Sequence, residues 1–168
     1  DIGFDLSYGK TEKSGLLWGV GVVGTLPTAT DDRVGKDLWG LGPEVLVGYI
    51  QRWGVIGGVL AHQWDIGGSG EGEIDLTTIN YFYGFQLGNG WQLAAGPTIS
   101  YDHARESGDR WTIPAGIGIS KTQVIAGRPW KLQLQYWNYV EAADAFGPEH
   151  QLRLSINPVV SAPWNEGR

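Results

Sequence analysis

The chain contains no cysteine and no methionine. The first absence excludes disulfides and thiolate chemistry, and it suits export through an oxidising compartment. The second, with no leader-like segment in view, leads us to expect a mature or trimmed product. Long apolar runs are also missing. No segment reaches the roughly 18 consecutive apolar residues of a transmembrane helix. If this chain crosses a membrane, it must cross as a closed barrel, because only helices and closed barrels satisfy every backbone hydrogen bond inside lipid. Charge is sparse: 12 Lys and Arg stand against 18 Asp and Glu, for a net −6. That balance offers nucleic acid no counterion release. No Lys or Arg run supplies a tether to an anionic membrane surface. Phosphate loops and dinucleotide fingerprints are absent too.

What the sequence does hold is glycine, 27 of 168 residues, and nine tryptophans, with 42% of residues apolar. The length fits one domain. The aromatic content excludes a disordered chain, and the glycines lack the three-residue period of collagen.

Two-residue alternation predicts strands along most of the chain. From Trp91, one face carries Trp91, Leu93, Ala95, Pro97, Ile99 and Tyr101; the other carries Gln92, Ala94, Gly96, Thr98, Ser100 and Asp102. Trp111, Ile113, Ala115, Ile117 and Ile119 oppose Arg110, Thr112, Gly116, Gly118 and Ser120. The same pattern recurs at 130–136, 151–157 and 78–87, and in more Gly-rich form at 16–23 and 39–49. The segment 53–64 fits either facing, and 2–8 is the least regular strand. The count is about nine strands within residues 1–160, with a C-terminal tail at 161–168. Short turns at 51–52, 88–90 and near Gly127 alternate with longer polar loops at 28–37, 67–73, 103–109 and 141–148. Short turns on one side and long loops on the other are the habit of outer-membrane barrels.

Alternation alone does not say which face is inside, since a soluble barrel has the same period with the opposite sense. Three features predict apolar-out. The polar face is mostly Gly, Ser, Thr, Gln and Asn, whereas a soluble exterior carries more charge. Aromatics gather at strand ends: Trp18, Trp53, Trp91 and Trp130 near the short turns, Trp39, Trp64, Tyr101 and Trp111 near the long loops. Two such belts match the two membrane interfaces. Finally, the strand from Trp91 to Tyr101 has the length that a tilted strand needs to cross the hydrocarbon core. Pro43, Pro97, Pro114 and Pro158 fall inside predicted strands; the first three are expected at bulges or kinks, or at an unclosed edge. Bacterial single-chain barrels usually have an even strand number. The odd count therefore leads us to expect a further upstream strand, or an open edge that pairs with a second copy or a partner chain.

An apolar exterior puts Glu44, Asn80, Gln92, Asp102, Arg110, Lys131, Gln133, Gln135, Arg153 and Asn157 on the interior, as candidate pore-lining residues. Charges of both signs there either pair and plug the lumen or set a field for solutes. No enzyme activity is expected. Ser100, Asp102 and His103 supply the residue types of a hydrolase triad, but adjacent strand residues point to opposite faces. His62 is expected in a belt or the lumen. No metal or other cofactor is expected either. Asp102, His103 and Glu106 close no ligand set, and Gly70 to Glu73 lacks the ligand order of a calcium loop.

Several runs carry a resemblance: WGVGVVGTLPTATDDR from Trp18 to Arg33, KDLWGLGP from Lys36 to Pro43, AHQW from Ala61, GDRWTIP from Gly108, QLQY from Gln133 and QLRL from Gln151. In order and spacing they resemble the outer-membrane β-barrel transporter proteins grouped with the phenol-degradation-pathway (MetA-type) barrels, some of which bear the misapplied name neuromedin U. The resemblance covers nearly the whole chain. It implies an antiparallel transmembrane β-barrel in the outer membrane of a Gram-negative bacterium, with strands preceding those seen here. It also implies passive uptake of small hydrophobic or aromatic solutes, with outer-membrane lipids and small solutes as partners. One departure is the end, where Ile156-Asn-Pro-Val-Val runs on into a polar tail instead of closing on an aromatic. The alternatives are a structural or assembly-partner barrel without conduction, and an outer-membrane lipid hydrolase.

Overall fold

The computed structural model describes residues 1–30, 35–143 and 147–158. The expected tail at 161–168 and Asp31 to Arg33 of the first motif lie outside the described residues. The described residues form one antiparallel sheet of ten strands and contain no helix. The strands are β1 Ile2–Thr11, β2 Leu16–Leu26, β3 Leu38–Gln51, β4 Gly54–Gly68, β5 Asp75–Gly88, β6 Trp91–Ala95, β7 Thr98–Asp102, β8 Trp111–Ile125, β9 Arg128–Glu141 and β10 His150–Pro158. Neighbours in sequence are neighbours in the sheet, except that β6 and β7 share one lane between β5 and β8. Among the described residues no ladder joins β1 to β10, and each has a single partner.

The tenth strand arises where Gly96 and Pro97 interrupt the stretch expected as one strand. Register agrees on both sides of the break: Tyr83 pairs Ala95 and Asn80 pairs Thr98 at the same offset. Proline has no N–H to give a ladder, so the strand opens there without slipping. Pro114 sits at a register shift between β8 and β9. Pro43 pairs Val22 of β2, while on the β4 side the ladder omits Gly42 and Pro43 without changing register. Tight turns follow local chemistry. Asn89-Gly90 and Ala126-Gly127 both take left-handed conformations, φ 50° and 78° in each case. Two such residues in succession match the twist of the flanking strands.

Burial runs opposite to that of a soluble sheet. The bulky apolar face is exposed: Val47 at 55%, Leu60 at 51%, Ile117 at 56% and Leu152 at 72%. The small and polar face is buried: Ser120 at 1%, Gln135 at 5% and Glu44 at 7%. Strand β3 alternates without a fault from Leu38 to Val45, with Gly40, Gly42 and Glu44 buried and Trp39, Leu41 and Val45 exposed. The ambiguous segment resolves the same way: Ile56, Leu60 and Trp64 are exposed while Ala61 and Gln63 are buried. A flat single layer would expose both faces alike. The sheet therefore curls toward the face that carries glycine, where backbones approach without side chains between them.

Candidate functional site

The concave face holds most of the residues expected to line an interior. Glu44 is buried opposite Gly21 of β2, on the side of the sheet where Asp5 of β1 lies near it. Gln63 donates from Nε2 to Thr25 Oγ1 at 2.8 Å, over Gly40 of the strand between. Gln92, Lys131, Gln133 and Gln135 line one cavity of about 320 Å³, together with Val55 and Phe82. Arg153 stands over the Trp137 ring at 5.8 Å. Asn157 is exposed on β10, paired in register with Lys131. Asp102 and Arg110 sit instead at the mouth of the 103–109 loop. Asp102 pairs with Arg105 at 3.0 Å, and Arg110 donates to the Arg105 carbonyl and to the Tyr101 hydroxyl.

Three of these residues have a second task that the sequence did not disclose. The ladder to β8 covers 91–93 and 100–101 only. Backbone groups around Gly96 and Pro97 need other partners, and side chains supply them from both faces. On the concave side Asn80 Nδ2 faces the carbonyls of Gly96 at 3.0 Å and Pro97 at 3.2 Å, and Thr98 Oγ1 at 3.0 Å. Gln135 Oε1 accepts from the Gly96 N–H at 3.2 Å, and is itself held by Trp137 Nε1 at 3.0 Å. Gln133 donates to the Ala94 carbonyl at 3.2 Å. On the convex side Tyr81 and Tyr83 reach over the gap to β8. Tyr81 donates to the Pro114 carbonyl and accepts from the Gly116 N–H; Tyr83 donates to the Gly116 carbonyl. Pro97 and Pro114 are both fully buried.

The aromatic residues expected at the two rims lie at the two ends of the sheet. Trp39, Trp53, Trp64, Trp91 and Trp111 are exposed, and Trp18, Tyr101 and Trp130 are half-buried. At the short-turn end Trp53 stacks on Phe85, and Lys121 lies 4.9 Å over Trp91. Trp18 donates to Glu12 at 3.2 Å. That bond, with Lys10 beside it, holds the Glu12 carboxyl below its ordinary pKa. At the long-loop end Tyr101 packs edge-on against Trp111 at 4.6 Å.

The same long-loop end gathers a polar cluster on the otherwise apolar face. His62 of β4 pairs in register with Thr77 of β5, and Thr77 with Tyr101 of β7. His62 Nδ1 lies 2.7 Å from Thr77 Oγ1, which also lies 2.9 Å from His103 Nε2. His62 Nε2 is 3.3 Å from Asp75 Oδ1. Trp64 and Tyr101 flank the two imidazoles at 4.2 and 4.6 Å. Sequence reasoning treated His62 and His103 separately because 41 positions part them. The available signal was parity: His62, Asp75 and Thr77 fall on the apolar phase of their strands, and His103 continues the apolar phase of β7 one residue past its end, where polar residues are out of place. Comparison with protein-family models, curated proteins and solved structures gave no match.

Proposed function

We propose that this chain forms the wall of a transmembrane β-barrel in the bacterial outer membrane and passes small solutes by diffusion. The observation that carries this reading is the inverted burial. A sheet with exposed Val, Leu, Ile and Trp on one face and buried Gly, Ser, Gln and Glu on the other suits a lipid exterior and a polar interior. The double ring of Trp and Tyr suits two headgroup layers. The side-chain bonds around Pro97 fit the same setting, since inside lipid no water replaces a missing backbone partner. The barrel would be completed by further strands or a partner chain at the exposed edges of β1 and β10. The resemblance to the phenol-degradation-pathway barrels supports hydrophobic or aromatic cargo.

Lys131, with Arg153 four residues from its register partner Asn157, would give the interior a positive lane; Asp5 and Glu44 would give an acidic one. Single-channel recording in a planar bilayer tests this. Discrete steps are expected, and Lys131→Gln with Arg153→Gln should shift reversal potentials toward cation preference. Folded, inserted protein without steps would refute conduction. A second reading, a closed structural barrel, draws on the inner side chains bonded to one another, such as Gln63 to Thr25 and Gln135 to Trp137. It predicts insertion without steps.

A further inference from the structure

We infer that His62, Asp75 and His103 form a zinc site at the long-loop end of the convex face. Each offers one ligand atom, and the three atoms lie within 4.8 Å of one another. Two imidazoles and one carboxylate are a donor set that suits Zn²⁺, with a fourth position left for water. In a tetrahedral site, Zn–N and Zn–O bonds of about 2.0–2.2 Å put two ligand atoms about 3.4 Å apart. A pair at the 4.8 Å limit must therefore close by about 1.4 Å, a shift the exposed His103 side chain can supply.

Two independent observations point to a cation. Asp75 Oδ1 is shielded from solvent yet receives no hydrogen bond of good geometry; the His62 ring nitrogen stands 3.3 Å from it without completing one. A shielded carboxylate oxygen in that state is costly unless something positive meets it. Thr77, meanwhile, engages His62 at Nδ1 and so leaves Nε2 directed at Asp75. An outer hydrogen bond that fixes the ring and presents the opposite nitrogen is the usual support of a metal-bound histidine. The ligands come from β4, β5 and the segment after β7, so one ion would clamp the 103–109 loop to the sheet. The third histidine, His150, lies apart from the cluster, bonded to Tyr136 and Asn138.

The test is calorimetry of the full chain, folded in detergent micelles, titrated with Zn²⁺ in a non-chelating buffer. One zinc per chain is expected. His62→Gln, His103→Gln and Asp75→Asn should each weaken binding by at least about tenfold, and Thr77→Val, which keeps all three ligands, by about tenfold. His150→Gln should bind as the unmutated chain does. Cobalt bound to the unmutated chain should show the intense visible bands of a four- or five-coordinate site, a readout independent of how any variant folds. Absence of binding by the unmutated chain overturns the site. So does equal zinc affinity after His62→Gln and His103→Gln, which would place the ion in the acidic loops.

Discussion

Replacing Asn80 by Leu is the sharpest probe of how the broken strand is held. Leucine keeps the branched skeleton of asparagine, with two methyl groups in place of the amide oxygen and nitrogen, so the change opens no cavity and removes the polar atoms. Asn80 Nδ2 faces three oxygens, of which its two hydrogens can serve two at a time. Thr98 Oγ1 can turn elsewhere. The Gly96 and Pro97 carbonyls cannot, because Pro97 is fully buried and the β8 ladder is absent at that level. Leaving a buried acceptor without a donor costs about 1–3 kcal/mol each. Asn80 itself is only half-buried, which lets some water reach the concave side, so the expected loss is about 2–4 kcal/mol. Urea unfolding of the chain in lipid vesicles, followed by tryptophan fluorescence, measures it. Thr122→Ser, on an exposed stretch of β8, is the control and should stay within about 0.5 kcal/mol. A loss for Asn80→Leu no larger than that control would refute the claim that side chains replace the missing ladder.

Other outcomes follow from the same geometry. Tyr81→Phe and Tyr83→Phe should each cost about 1–2 kcal/mol by the same unfolding assay, the first more because its hydroxyl both donates and accepts. Gly116→Ala should destabilise by about 1–3 kcal/mol through overpacking, because its new methyl would stand 2.9 Å from both Pro97 and Trp137. Ala126→Gly should raise stability by several tenths of a kcal/mol to about 1 kcal/mol, by relieving a left-handed residue in a turn.

Much of the strand framework was legible because alternation is a local signal. Trp39, Leu41, Val45 and Val47 against Gly40, Gly42 and Glu44 fix β3 without outside help. The segment 53–64 stayed ambiguous because Val55 and Val59 lie on one phase and Ile56 and Leu60 on the other. Only its pairing with β3 and β5 decides the matter, and those contacts are not local. The break at Gly96-Pro97 was visible as a proline inside a strand, but not its consequence. Periodicity assigns Asn80, Gln133 and Gln135 to the concave face; that they bond the backbone of the broken lane depends on which strands lie beside it. Asp102 and Arg110 were placed by phase alone, while at a strand end the loop residue Arg105 captures both. The His62–His103 cluster needs the register of three strands at once.

The absence of cysteine allows the central claim to be tested by single-cysteine labelling. An environment-sensitive fluorophore would be placed at Val47 or Ile117 on the convex face, and at Ser7 or Gln92 on the concave face, with the protein folded into vesicles. The account predicts that lipid-borne quenchers reach the labels at Val47 and Ile117 and that water-soluble quenchers reach those at Ser7 and Gln92. Equal quenching of all four from the aqueous phase, or the reverse assignment, would contradict a lipid-facing apolar surface.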